Sequence, residues 1–381
     1  DGKGSYVKKK PDRCDVVDSL KESDFYMYYI GEDDHRCKIR LSDYLTKQNA
    51  LGQYECKIFE PNNQNFNLWT GFQAKRLEEE EKDQGELEAV KKFLLDTWAS
   101  GNEDYYKYII SWLKGLLVND RNRVALCMIS KPGTGKGWFL DFMRMVLRSS
   151  NIAEVCGIQP VIQKHNTIIQ NKRLVVINEM SSTRDEFRSN FDKIKMNITD
   201  PKLTVEPKGV NSYEIDNIGN YILFSNHRDS IICEQFDRRY AIFEVCDKYL
   251  NNTKYFQALT KKCYNQKTAD AFYTYLLDFT EEDGLVEIRE IINTEIRQEI
   301  IGMSKPAVVK FVDYLKEEPL MIPGTEEPLP EMKSTDLYQH FRGWCSEQGE
   351  RNVPTMTKFG MLAKDYLEKK RTKHGYMYVL P

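Results

Sequence analysis

No apolar run in the 381-residue chain approaches the length of a membrane span, and no signal-like N-terminus is present, so no membrane partner is expected. There is no C-x-x-C pair either. Nine cysteines are scattered and the five histidines sit apart from them, which argues against a structural zinc site and against a disulfide framework. A reducing, intracellular setting is expected. A strong charge of one sign is also missing. The formal net charge is −3 and the sequence pI about 6.1, so any nucleic-acid contact must come from a local patch, not from a globally basic surface. No internal repeat is found. The length implies two or three domains, and a chain that opens on Asp1 in place of Met is expected to be cut from something longer.

What the chain does have is Ser130-Lys131-Pro132-Gly133-Thr134-Gly135-Lys136-Gly137. A buried-strand run, Val124 to Ile129, precedes it, and Trp138, Phe139, Phe142, Met145 and Val146 follow at helical spacing. Strand, glycine-rich turn and helix in that order hold nucleotide phosphates: backbone N–H groups and the positive helix end face the anion, and Lys136 reaches the β and γ oxygens. Pro132, Gly133, Thr134, Gly135, Lys136, Gly137 and Trp138 are therefore the expected nucleotide-binding residues. Two positions depart from G-x-x-x-x-G-K-[ST]. Ser130 replaces the first glycine, and Gly137 stands where a hydroxyl would meet Mg²⁺, leaving Thr134 or water to take that part.

Two more apolar runs of strand length end in polar residues suited to phosphate chemistry. Leu174 to Ile177 ends at Asn178-Glu179, and Tyr221 to Phe224 ends at Ser225-Asn226. In a parallel sheet the strand C-termini share one edge, where ligands bind, so Lys136, Glu179 and Asn226 are expected to converge on one nucleotide. Glu179 would polarise the attacking water, and Asn226 would hold that water or the γ-phosphate. Asn178, with Glu179, is the expected Mg²⁺ contact, although an amide oxygen is a weak one. Between these runs, Leu203 to Ile215 carries two β-favouring stretches around Pro207-Lys208-Gly209, a hairpin with Lys208 at its tip, placed to grip a nucleic-acid phosphate. Arg238 and Arg239 follow Asp237; one of them is suited to complete a neighbouring subunit's site, the simpler alternative being a local pair with Asp237.

Along the chain we expect a mixed accessory region over 1–85, a helical layer over 86–120, a nucleotide-binding core over 121–247, a helical region over 248–316, a Pro- and Glu-rich linker over 317–333, and a final domain over 334–381. The last contains two helical patterns and then Lys369-Lys370-Arg371-Thr372-Lys373 before alternating Tyr376 to Val379, the pattern of a winged helix with a basic wing.

Together these residues resemble the superfamily 3 helicases, hexameric AAA+ motors of DNA viruses and mobile elements, and within them the poxvirus-type and phage-type primase-helicases. Gly133 to Gly137 is similar to the Walker A motif, Leu174 to Glu179 to Walker B, and Tyr221 to Asn226 to motif C with Asn226 as sensor 1. Lys195 through Asn211 is similar to the B′ region with its DNA-contacting hairpin. Arg239 falls at the arginine finger, with Arg238 as the near alternative. The spacing from Lys136 to Asn226, about 90 residues, is typical of that compact motor. The resemblance covers most of the chain after Glu86. It implies an α/β AAA+ P-loop core, ATP and Mg²⁺, a hexameric homo-oligomer, single-stranded or forked DNA as partner with Lys195, Lys208, Lys370 and Arg371 as contacts, and 3′ to 5′ travel. The family's primase module, commonly upstream, has no visible counterpart, and Glu32-Asp33-Asp34 reads as a turn. The alternative is a nucleotide-gated DNA-binding or loading ring that hydrolyses weakly.

Overall fold

The computed structural model describes residues 69, 71–78, 85–118, 121–179, 184–208, 211–350, 353–373 and 375–381, with the backbone of six short strands before them. These are β1 (Tyr6–Lys10) and β2 (Arg13–Val17), β3 (Tyr26–Ile30) and β4 (Arg36–Arg40), both pairs antiparallel, and β5 (Tyr54–Glu55) with β6 (Phe66–Asn67), parallel. Glu32-Asp33-Asp34 lies outside the described residues. The chain divides into two compact units, Asp1–Ile232 with Phe236–Gln298, and Cys233–Gln235 with Glu299–Pro381.

The first unit is built on a five-stranded parallel sheet. Its strands are β7 (Ala125–Ile129), β8 (Ile152–Cys156), β9 (Leu174–Asn178), β12 (Asn220–Ser225) and β13 (Tyr240–Glu244), in the order β13-β7-β12-β9-β8. Continuous apolar runs suit strands covered on both faces, and β7 and β12 are buried throughout. At the sheet edge β8 alternates, exposing Glu154 and Cys156. A separate antiparallel hairpin, β10 (Lys202–Val205) with β11 (Tyr213–Asp216), is inserted before β12.

Helix α1 (Gly85–Phe93) passes into a π turn over Leu94–Trp98. It breaks at Gly101, whose φ is +77°. The Asn102 side chain then accepts from the N–H groups of Asp104 and Tyr105, starting α2 (Glu103–Val118). Two contacts fasten it to the sheet: Trp112 Nε1 donates to Val124 O at 2.7 Å, and the fully buried Arg173 guanidinium donates to the carbonyls of Gly115, Leu116 and Ile218. A cation on the last carbonyls of α2 also complements the helix dipole. Helix α3 (Lys136–Leu147) leaves the glycine-rich turn, followed by α4 (Gln159–Ile162), α5 (Arg184–Thr199), α6 (Thr253–Cys263) and α7 (Gln266–Asp278). Phe93, Trp98, Phe139, Phe142 and Phe272 pack ring on ring between these helices and the sheet, Trp98 on Phe139 and Phe272 on Phe139 and Phe142 edge to face. Truncating one such ring typically costs about 3–5 kcal/mol.

After α8 (Glu295–Ser304), the second unit contains α9 (Ala307–Glu317), β14 (Glu331–Lys333), α10 (Ser334–Glu347), α11 (Met356–Ala363), β15 (Lys369–Thr372) and β16 (Gly375–Val379), with antiparallel strand order β14-β16-β15. Its core joins Val308, Phe311 and Leu315 of α9 to Leu337, Phe341, Phe359 and Tyr378. The expected boundary at 334 therefore moves back to about 299. Periodicity correctly marks α9 as a helix, but its apolar stripe does not say which neighbour covers it. The expected linker over 317–333 is internal to this unit and folded back on itself, with Ile322 N–H on Glu327 O at 2.9 Å and Leu329 N–H on Leu320 O at 2.6 Å.

Candidate functional site

The glycine-rich turn begins where Ser130 N–H donates to Ser225 O at 2.8 Å, tying the end of β7 to the end of β12. Gly133 and Gly135 have φ of +86° and +94°, a region L side chains rarely adopt. Space excludes a side chain there as well. A Cβ on Gly133 would lie 2.1 Å from Asn251 Oδ1, and one on Gly135 would lie 2.5 Å from the Phe256 ring. Asn251 N–H also donates to Gly133 O at 3.1 Å, so the loop is moulded against the start of α6. Asn251 and Phe256 carry no sequence signal for this role; only the three-dimensional packing reveals it.

Lys136 Nζ donates to Asn226 Oδ1 at 3.3 Å and lies 5.5 Å from the Phe224 ring centroid. Burial holds its pKa below the usual lysine range, and the Glu179 carboxylate acts in the opposite sense. Thus the three expected residues share the C-terminal edge of the sheet. Glu179 is exposed and sits at φ +49°, in the left-handed region uncommon for a non-glycine residue; its carboxylate accepts from the Cys156 thiol at 3.7 Å.

Four of the expected residues have partners within the protein. Thr134 is buried and its hydroxyl donates to Lys131 O at 3.1 Å, within the turn itself. The Trp138 side chain belongs to the core, stacked on Phe142 and edge-on to Phe93, so only its backbone remains near the loop. Asn178 donates its amide nitrogen to Glu154, which also receives Arg144, a contact that fixes the orientation of the amide. Lys195 is not a surface contact: its ammonium lies 3.4 Å from the fully buried Asp237 carboxylate. Among the described residues no cluster of three metal-ligating side chains occurs. Asn178 Oδ1 and the Glu179 carboxylate are oxygen donors at this edge that would meet a Mg²⁺. Gly137 is exposed with open space at its Cβ. Gly137→Ser should therefore fit, stabilise α3 by roughly 0.5 kcal/mol, and make nucleotide affinity several-fold more Mg²⁺-dependent. A magnesium titration of nucleotide binding checks this, and an unchanged dependence would place the cation elsewhere.

Asp237 organises the opposite edge. Its carboxylate accepts the Arg239 N–H at 2.9 Å and lies 3.6 Å from the Arg239 guanidinium, while its carbonyl accepts from Arg297 at 2.9 Å. Arg239 is thus drawn inward and Arg238 is exposed. Both precede β13, about 17 Å along that strand from the sheet edge that carries Lys136, at roughly 3.3 Å per residue. Lys208 is exposed at the hairpin tip, and the Asn166 side chain bonds both Thr204 O and Glu206 N–H, bracing the hairpin base. In the second unit Lys370 and Arg371 are exposed on β15, and Lys369 lies over the Tyr376 and Tyr378 rings. A cleft of about 540 Å³ opens beside the turn, reached by Ser130, Lys131 and Asn226 and bounded by Glu244, Asp247 and Glu295.

Comparison with known proteins narrows the reading. Solved apo structures of the NrS-1 C-terminal region align at TM-scores of 0.61 and 0.65, with 15% and 16% identity, covering 94% and 99% of this chain and 96% and 93% of theirs. The fold is shared with the NrS-1 C-terminal region. A DNA primase-polymerase of Nitratiruptor phage NrS-1 is 25% identical over 237 residues, 60% of this chain and 32% of that protein. This chain spans about a third of that curated relative. Residues 128–239, which include the turn, Glu179, Asn226 and both arginines, match a family described as of unknown function, DUF5906.

Proposed function

We propose that this chain is the motor segment of a phage-type DNA replication protein: an AAA+ ATP-dependent DNA helicase of superfamily 3 type, assembled as a hexameric ring around single-stranded DNA. The observation that carries the reading is the Lys136 to Asn226 contact at 3.3 Å with Glu179 on the same sheet edge. Supporting it are the strand order β13-β7-β12-β9-β8, the hairpin inserted before β12, and a helix-strand-helix-helix-strand-strand second unit that suits a winged helix. The relationship to a primase-polymerase supports a role in replication and makes an upstream primase module the natural companion. Lys136 and the turn amides bind the β and γ phosphates, Glu179 orients the attacking water and takes up its proton, and Asn226 holds the γ-phosphate side. An arginine of the Arg238-Arg239 pair reaches the site from the neighbouring subunit, since its own site lies at the far end of the strand. Travel is 3′ to 5′ in this reading.

The cross-subunit arginine is tested by mixing. Arg238→Ala and Arg239→Ala subunits should each bind ATP, the one that supplies the finger should hydrolyse it poorly, and mixing it with Lys136→Ala subunits should restore part of the activity. If neither variant is rescued, the shared site is wrong. A second experiment separates the motor from its fuel. Lys208→Ala should leave basal ATPase within about twofold yet lower DNA-stimulated turnover and unwinding several-fold, because the hairpin grips phosphates of DNA. Normal unwinding by this variant would remove the hairpin from the translocation path. A nucleotide-gated ring with weak hydrolysis is the second reading, favoured by Gly137, which has no hydroxyl to offer a cation. DNA-stimulated ATPase distinguishes the two.

A further inference from the structure

Phe236 is 90% exposed, the largest value for a big apolar side chain among the described residues. A single exposed phenylalanine is ordinary. This one is held out by its surroundings. Asp237, with no exposed side chain, is gripped by Lys195 and Arg239 while its carbonyl takes Arg297. Phe236 leaves the turn that buries Asp237 with its ring in solvent, and Arg238, on the other side of Asp237, is exposed as well. At the other end of β13 lies the cleft of about 540 Å³, with Ile129, Val245 and Ile296 at its base and Tyr105 beside them. Its lining includes the ion pairs Lys131–Asp247 and Arg228–Glu244 and a further carboxylate, Glu295. A knob and a hollow at opposite ends of one strand cannot meet within one chain.

We propose that Phe236 seats in this cleft of a second copy of the chain and in doing so delivers Arg238 to that copy's Lys136 and Asn226. The inference rests on the ring reading and supplies its contact. An aromatic anchor filling a pocket is the commonest kind of interface hot spot and buries roughly 150–250 Å². Glu295, the lining carboxylate beyond those two ion pairs, suits the arrival of an arginine. Asn226 lines the cleft and also holds Lys136, so a phenyl ring in the cleft places Arg238 within one side-chain length of the phosphate site. The contact is heterologous, the same at every junction, and therefore propagates around a ring.

Cys246 lines the cleft and is a reduced thiol. In a Cys156→Ser background, Phe236→Cys subunits incubated with a non-hydrolysable ATP analogue and single-stranded DNA should, on mild oxidation, give a ladder of disulfide-linked multimers. The ladder should vanish with Cys246→Ser, and peptide mapping should identify the 236–246 link. Independently, Phe236→Ala should weaken self-association at least tenfold in sedimentation while nucleotide affinity per subunit stays unchanged. A wild-type oligomer with no 236–246 link and no effect of Phe236→Ala would overturn this inference and leave the ring standing. A protein that stays monomeric with analogue and DNA at every concentration would overturn the ring and the inference together.

Discussion

Lys136→Ala is expected to abolish nucleotide-dependent thermal stabilisation and to lower ATP hydrolysis by at least about a hundredfold. The other lysine of the turn offers no substitute, because Lys131 is paired with Asp247 at 2.8 Å. The fold should survive. Burial lowers the Lys136 pKa, so the charged ammonium is worse accommodated in the folded chain than in the unfolded one, and removing it costs the unliganded protein little. The linkage has a definite sign. With the folded pKa below the unfolded one, the unfolded state binds more protons in the interval between them, so this group adds stability as pH rises towards the ordinary lysine value. The alanine variant lacks that increment, and the difference between the two proteins in pH-dependent unfolding isolates it. Hydrolysis near the wild-type rate in Lys136→Ala would remove the turn from the chemistry.

Glu179→Gln is the complementary case. Glutamine keeps the size and hydrogen bonding of the side chain at φ +49° but not its basicity, so ATP binding should persist while turnover falls roughly 10²–10⁴-fold. Single-turnover hydrolysis beside equilibrium binding separates the two. Equal loss of binding would make Glu179 a structural residue, with its left-handed backbone serving only the end of β9.

Much of this edge was legible in the sequence because each piece is local. Apolar runs of strand length predict β7, β9 and β12, parallel pairing brings their ends together, and the residues that follow them are Ser130, Glu179 and Asn226. The hairpin around Lys208 and the break at Gly101-Asn102 are equally local signals. What escaped depends on contacts remote in sequence. Gly133 and Gly135 are required partly by Asn251 and Phe256, more than a hundred residues away, and Lys195 looked like a surface lysine until Asp237 was found beside it. Trp138 stood at a motif position, yet its ring lies among Phe93 and Phe142. Arg173 gave no warning that it would fasten α2 to the sheet, since a lone arginine in a strand flank is ordinarily solvated. The placement of α9 in the second unit was hidden for the same reason: an amphipathic stripe shows that a partner exists, not which one.

The central claim is that nucleotide hydrolysis at the Lys136, Glu179 and Asn226 edge is coupled to DNA. Steady-state ATPase of the wild-type chain, measured with and without single-stranded DNA and repeated with Glu179→Gln, tests it most directly. The account predicts hydrolysis that DNA stimulates several-fold and that Glu179→Gln eliminates in both conditions. Absence of both hydrolysis and nucleotide-dependent stabilisation in the wild-type protein, with DNA binding intact, would contradict it.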